Sequence, residues 1–348
     1  MVGGLEKNLR IKRHFAVVAH GPDTVEIRHG IWNPVSFIVN DESKTGNLFR
    51  VLQRLDGTTA PAALARELGV AREHVEGLID HLDQLGVLES GPSNALDYYL
   101  DNVPGGARAD QMLGPPPARP IVLLGDASLA SQIGLLLGNI DPDIQIAPPD
   151  EGAARVVFDD DVSWIFDGIA FHERVQALEA WKNSFVVMAS SVINPLHDMV
   201  LNRAALEHGF PWLHAAIDGP FLLIGPMFVP RRSACYECFE QRVTMNLRDG
   251  ASYIAYKEAL VRNSVTRGRM PIEPMLHALL AAHAAIEIVN FSKTSYSFVV
   301  GKVLSIFLPT MEFTYNEVLR LPGCPACGPL SERDDTELYF DVTTLIKR

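Results

Sequence analysis

Between residues 11 and 40 apolar and polar positions alternate in short runs, at 14–19, 25–28 and 35–40, with Gly21-Pro22-Asp23 and Gly30 between them. A two-residue period bounded by turn formers predicts three strands. From residue 48 the period lengthens. Leu48, Val51, Leu52 and Leu55 fit one short helix ending at Gly57, residues 61–68 fit a second ending at Gly69, and Val75, Leu78, Ile79, Leu82 and Leu85 fit a third ending at Gly86. Apolar residues three and four apart, each set followed by glycine, predict helices with left-handed stops.

Three strands followed by three helices resemble a winged helix-turn-helix, with Leu64-Ala65-Arg66-Glu67-Leu68-Gly69-Val70 reading like its first helix and turn. A breaker-rich stretch follows, holding Pro104-Gly105-Gly106 and Pro115-Pro116-Pro117. It predicts a linker over 101–119 between a domain at 1–100 and another at 120–348. Beyond it, a strand at 121–124 runs into Gly125-Asp126-Ala127-Ser128 and a buried helix at 129–137. Strands at 144–147, 164–166, 185–189 and 212–217, with helices at 173–182 and 200–208, continue the alternation, which predicts an α/β domain with a Rossmann-like parallel sheet. Residues 274–291 read as a strongly apolar helix.

Composition narrows the function classes. The chain has 348 residues, 47% hydrophobic and 21% charged, enough for real cores in about two domains. A net charge of −12 repels phosphate backbones, so nucleic acid is not the expected partner. Apolar runs such as 220–229 and 298–308 are broken well short of about 18 residues, so no membrane span is expected. Residues 1–13 lack the apolar core of a signal peptide, which predicts a cytoplasmic chain.

The four cysteines form two C-x-x-C pairs, Cys235 and Cys238, then Cys324 and Cys327, separated by 85 residues. In a reducing compartment such pairs predict metal rather than disulfides. Four thiolates fill a tetrahedron and leave no open position for water or substrate, so the expected cofactor is one structural Zn²⁺. The alternative is two independent thiol pairs, one of them redox-active.

Nucleotide binding finds little support. A phosphate-cradling first turn needs G-x-G-x-x-G, and Gly125-Asp126-Ala127-Ser128-Leu129-Ala130 keeps only the first glycine. Ala127 adds a methyl where the anion approaches, and Asp126 adds like charge. Residues Pro148-Pro149-Asp150 are not a clean acidic strand end for a ribose. With the cysteines assigned to metal no thiol nucleophile is spare, and no catalytic residue is expected. His277 and His283, six apart on a helix, read as packed or interfacial; Ser190-Ser191 reads as a turn or cap.

Phe185-Val186-Val187-Met188-Ala189-Ser190-Ser191, Leu201-Asn202, Gly209-Phe210-Pro211-Trp212-Leu213 and Ile224-Gly225-Pro226-Met227-Phe228-Val229-Pro230 lead into Ala234-Cys235-Tyr236-Glu237-Cys238. Together they resemble the E1-activating-enzyme (ThiF/MoeB-like) fold. More closely they resemble the ocin-ThiF-like partner proteins of YcaO cyclodehydratases in ribosomal-peptide biosynthesis, whose closing zinc knuckle is similar to Leu321-Pro322-Gly323-Cys324-Pro325-Ala326-Cys327-Gly328. The resemblance implies a leader-peptide recognition element at the front of the chain, a separate YcaO protein that binds ATP and does the chemistry, and, by analogy with E1-like folds, a homodimer. It also places Ser191 about where an adenylating E1 carries its magnesium-binding aspartate.

In such recognition elements the leader adds a strand beside the third strand and buries side chains against the third helix. The matching residues are Val35, Phe37 and Val39, with Val75, Leu78, Ile79 and Leu82. The same helix would read DNA in a winged-helix regulator, but it carries Glu73, Glu76, Asp80 and Asp83 against Arg72, which favours peptide over a major groove. A mere packing module is the plain alternative. The resulting expectation is a non-catalytic subunit that captures a precursor leader and presents it to a YcaO cyclodehydratase for azoline or related backbone chemistry. Its rivals are an autonomous adenylating enzyme and a zinc-containing winged-helix DNA-binding regulator.

Overall fold

The structure is a computed structural model that describes residues 9–32, 34–90, 118–266 and 274–328. Contacts divide the chain into two units, Met1–Asn102 and Val103–Arg348. The expected linker lies almost wholly outside the described residues.

The first unit holds strands β1 (Leu9–Ile11), β2 (Ala16–Ala19), β3 (Thr24–His29) and β4 (Val35–Asn40), helices α1 (Leu48–Arg54), α2 (Pro61–Leu68) and α3 (Arg72–Gln84), and strand β5 (Leu88–Ser90). β2, β3 and β4 form an antiparallel sheet in that order, with Val25 opposite Val39 and Ile27 opposite Phe37. Central β3 buries Val25 and Ile27 completely against Val51, Leu52, Leu64, Val75, Ile79 and Leu82 from the helices. α2 begins on Pro61, whose fixed φ suits a first helical position, and stops at Gly69, φ +64. Strands β1 and β5 pair with each other, tied by Arg10 and Glu89 at 2.5 Å. Three residues each, they are too short to show a period in the sequence.

The second unit holds β6 (Ile121–Gly125), α4 (Ala127–Ile140), β7 (Ile146–Ala147), α5 (Glu151–Val157), α6 (Gly168–Val175), β8 (Phe185–Ser190), α7 (Pro195–His208), β9 (Trp212–Asp218), β10 (Phe221–Phe228), α8 (Tyr236–Asn246), α9 (Gly250–Val261), α10 (Pro274–Thr294), β11 (Lys302–Phe307) and β12 (Glu312–Glu317). One seven-stranded sheet runs β12-β11-β10-β9-β8-β6-β7. Strands β7, β6, β8 and β9 are parallel, whereas β9 to β12 are antiparallel. The strands expected to be parallel, 121–124, 144–147, 185–189 and 212–217, are parallel, and a tight turn at Gly219 extends the sheet beyond them as an antiparallel meander. Residues 163–166 form a 3₁₀ turn rather than a strand, because Trp164 and Ile165 are both buried side by side in the core below the sheet. The predicted helix at 173–182 is the end of α6 plus a 3₁₀ segment, Gln176–Trp181.

Helices cover both faces of the sheet. α4 and α10 pack on one, where Gly134 lies against Leu123 and Phe291 meets Phe185 at 5.1 Å. α5 and α7 pack on the other over Val122, Leu124, Val186 and Met188. By length and composition the 21-residue α10 is apolar enough to cross a membrane. Here half of that apolar stretch is buried inside the fold.

Candidate functional site

In the first unit β4 is an edge strand: among the described residues it pairs with β3 and with nothing on its other side. Its outer row of backbone donors and acceptors is open to an added strand. Beside that edge lies a groove of about 240 Å³ between the end of β4 and α3. Val39, Val75 and Leu78, three of the seven predicted peptide residues, line it. Val35 is 55% exposed on the same strand, and Phe37 is half-buried against Phe15, ring centres 6.2 Å apart. Ile79 and Leu82 do not belong to the groove. They are 6% and 0% exposed and point into the helical core, so the whole apolar stripe of α3 cannot be a recognition surface.

Sequence reading missed His74, Gly77 and His81, which line the groove from α3, and Leu48, Val51 and Val70, which close its base. The signal was present in the spacing: 74, 77, 78 and 81 share one face of a helix, adjacent to the buried stripe. Gly77 is decisive for the shape. It stands in mid-helix, where glycine is unfavourable by roughly 1 kcal/mol against alanine, and a Cβ built there would meet nothing within 4 Å. Asp41 at the groove's end is committed locally: the Thr45 hydroxyl and the amides of Thr45 and Ser43 donate to it and hold its carboxyl below the usual range.

In the second unit the four cysteine sulfurs meet, all within 4.8 Å of one another. Cys235 Sγ is 3.8 Å from Cys238 and 3.6 Å from Cys324, and Cys238 is 3.5 Å from Cys327. A tetrahedron with metal–sulfur bonds of about 2.3 Å sets its corners about 3.8 Å apart, so the set fits one zinc-sized ion. The fold closes the 85-residue gap through local devices. Cys235 stands just before the start of α8, where the Tyr236 amide donates to Asn202 Oδ1 at 2.8 Å and Glu237 pairs with Arg203 at 2.8 Å. The second pair sits in a knuckle whose Gly328 has no room for a side chain, its Cβ position lying 2.5 Å from the Cys324 carbonyl oxygen. The amide of Leu321 faces Cys238 Sγ at 3.4 Å, the kind of outer contact that orients a thiolate ligand.

The β6–α4 turn lies at the carboxyl ends of the parallel strands, where α/β sheets bind ligands. Gly125, φ +100, passes so close to β8 that a Cβ would fall 2.1 Å from the Ala189 carbonyl oxygen. The next residue fills the anion position from within. Asp126 Oδ1 accepts from the amides of Ser128 and Leu129 at 3.0 and 3.1 Å, and Oδ2 accepts from Ser191 Oγ at 2.9 Å. Burial opposes ionisation, but those amides and the hydroxyl outweigh it and hold the carboxyl below its ordinary range. Helix-start amides that could take phosphate thus already hold a carboxylate. Asp150, at the next strand end, likewise caps α5 through the Ala153 amide at 2.9 Å.

Ser191 and His277 meet here, which the sequence did not foretell. Because a carboxylate only accepts, Ser191 Oγ gives its proton to Asp126 and receives a bond from His277 Nε2 at 3.1 Å; His277 Nδ1 lies 3.4 Å from Ser128 Oγ. The imidazole donates to the serine, the reverse of the polarity that activates a nucleophile.

No protein-family pattern and no curated protein matches the chain. Its fold, however, has solved counterparts. The structure of the heterocyclase TruD aligns with 92% of this chain at TM-score 0.64 and 20% identity, and a heterocyclase in complex with substrate and cofactor does so at 0.63 and 18%. This chain spans 42% and 39% of those two longer chains. E. coli MccB with AMPCPP and MccA aligns over 92% of this chain and 99% of its own, at TM-score 0.52 and 15% identity. At these identities the likeness establishes a shared fold.

Proposed function

We propose that this chain captures the leader segment of a ribosomally made precursor peptide and presents it to a YcaO-type cyclodehydratase, contributing no catalytic group itself. The observation that carries the reading is the free edge of β4 beside a groove opened by Gly77. An extended peptide would add a strand to β4 through main-chain hydrogen bonds, and its alternate side chains would enter the groove over Val39, Val75 and Leu78. The winged-helix-like first unit is the recognition element. Tethering through it raises the local concentration of the peptide's remainder at the partner's active site. The fold shared with a heterocyclase solved with its substrate, and with MccB solved with MccA, supports a peptide-modifying setting.

In the second unit Cys235, Cys238, Cys324 and Cys327 would hold Zn²⁺, which staples the meander to α8 and leaves no coordination site for chemistry. A YcaO partner and a homodimer belong to the same reading. An autonomous adenylating enzyme is disfavoured by the carboxylate of Asp126 in the phosphate position. A DNA-binding role is disfavoured because Arg72 on α3 is already paired with Glu76 at 2.6 Å, beside exposed acids.

The test is calorimetry of the full chain against leader peptides encoded beside its gene. Micromolar or tighter binding that Leu78→Asp weakens at least tenfold in a folded protein is the expected result. Undiminished binding in that variant would reject the groove. ATP–pyrophosphate exchange by the isolated chain with peptide present would return the adenylating reading.

A further inference from the structure

The second unit holds a cavity of about 490 Å³ that the leader groove and the cysteine cluster leave unused. It opens between the ends of β8 and β9 and the helices α8 and α9, and its size suits a small-molecule site, for which about 300–1,000 Å³ is usual. Its aromatic lining is Tyr236, Phe239, Tyr253 and Tyr256. The Tyr236 and Phe239 rings stand at 61° with centres 6.2 Å apart, so they make adjoining walls rather than a stack. Tyr256 forms part of the rim, 37% exposed.

The charge of the lining is one-sided. Two acidic residues, Asp218 and Glu240, border the cavity, and among the described residues no lysine or arginine does. Asp218 is exposed at the end of β9. Glu240 is partly answered from one side: Lys257 Nζ stands 2.8 Å from Oε1, and the Tyr253 hydroxyl donates to the same oxygen at 2.6 Å. Its other oxygen, Oε2, takes no bond among the described residues and is not sealed from solvent, the side chain keeping 9% of its surface open. The floor adds nothing positive. Burial keeps His214 neutral, and burial together with the charge of Glu240 holds the sealed Asp198 carboxyl above its ordinary range. With Lys257 offsetting one of the two carboxylates, the cavity keeps a negative excess among ring faces that are themselves electronegative, which disfavours an anion and leaves a neutral guest without a counter-charge.

We propose that this cavity binds an ammonium group carried on an apolar stem, held against the Phe239, Tyr253 and Tyr256 rings with Asp218 and Glu240 as its counter-charges. A cation over an aromatic face is attracted by the ring quadrupole, the more so where water is excluded. The stem's methylene or methyl groups pack on Leu223 and Val243, which line the same space. The site lies within the second unit and does not rest on the leader groove. The guest's chemistry has two sources, a lysine side chain of a bound peptide or a free quaternary ammonium molecule.

Two pairs of probes titrated against the full chain, read by saturation-transfer NMR and calorimetry, test it. Choline and 3,3-dimethylbutan-1-ol share a shape and differ in charge; Nα-acetyl-lysine methylamide and its 6-hydroxynorleucine counterpart differ in the same way. In the better-binding pair the cation is expected to bind about tenfold more tightly than its neutral partner, the worth of a partly desolvated cation–aromatic contact. Tyr256→Leu, which keeps an apolar rim and removes the ring, and Asp218→Asn are each expected to shrink that preference to about threefold or less. Both replace exposed side chains, so the fold is retained. The sources separate by which cation binds more tightly: the lysine amide supports a peptide side chain, choline a free molecule. Absence of saturable binding by both cations at millimolar concentration, equal affinity within both pairs, or an unchanged preference in both variants would overturn the proposal.

Discussion

Ser191 and Asp126, 65 positions apart, are joined by a 2.9 Å hydrogen bond that closes the turn between β6 and α4. The carboxylate there accepts three hydrogen bonds, since it also caps the helix through the amides of Ser128 and Leu129. Asp126→Ala should cost about 1 kcal/mol in urea unfolding, the usual worth of a cap. Because the folded carboxyl titrates below its unfolded value, the stabilisation is complete above the unfolded pKa of about 3.9 and fades as the pH falls through the lower folded one. The wild-type and variant unfolding curves should therefore converge in acid, and calorimetry should detect no ATP binding to the wild type.

Gly77 offers a cleaner handle on the groove than the core of α3 does. Gly77→Leu should fill the space beside Leu78 and lower leader affinity at least tenfold. Its thermal stability should hold or rise, because leucine is the better helix former by up to about 1 kcal/mol. Ile79→Asp would instead bury a charge in the core and unfold the first unit, so circular dichroism separates the two variants.

For the cysteine cluster, the expected stoichiometry is one zinc per chain by elemental analysis. Stripping it with a strong chelator, or replacing Cys327 with Ser, should lower the melting transition of the second unit while the first unit's transition stays in place. A chain that melts identically with and without chelator would show that the thiols hold no structural ion.

Asp198 and His214 make the pH dependence unusual. Burial, reinforced by the charge of Glu240, pushes the Asp198 carboxyl up to about 8, and burial pulls His214 down to about 4. Between about pH 4 and 6.5 the unfolded chain has released the Asp198 proton but gained one on His214, and the two effects oppose each other. Above about 6.5 the Asp198 effect remains alone, so stability should decline toward pH 8 by about 2 kcal/mol. Asp198→Asn should flatten that decline in urea titrations followed across the pH range.

The first unit could be read from its sequence because its elements bury one face each. Alternation in 35–40 and the spacing of Val75, Ile79 and Leu82 announce their own periods. The meander was illegible for the opposite reason: β10 is buried over most of its length, and a continuous apolar run carries no sign of whether it pairs parallel or antiparallel. Trp164 and Ile165 misled for the same cause, an apolar run too short to show helical spacing. The clustering of Cys235, Cys238, Cys324 and Cys327 was legible from residue type and spacing alone. The meeting of Ser191, Asp126 and His277 could not be foreseen, since it is made by three elements that only the sheet order brings together.

An edge strand left unpaired among the described residues carries a hazard as well as an opportunity. Ile38 on β4 and the hairpin residues Ile31 and Trp32 are 63%, 82% and 97% exposed, so the guest-free protein displays adhesive backbone alongside greasy side chains. If the chain captures a precursor as proposed, the bound strand would also act as a chaperone for its captor, keeping copies of the chain from stitching together edge to edge.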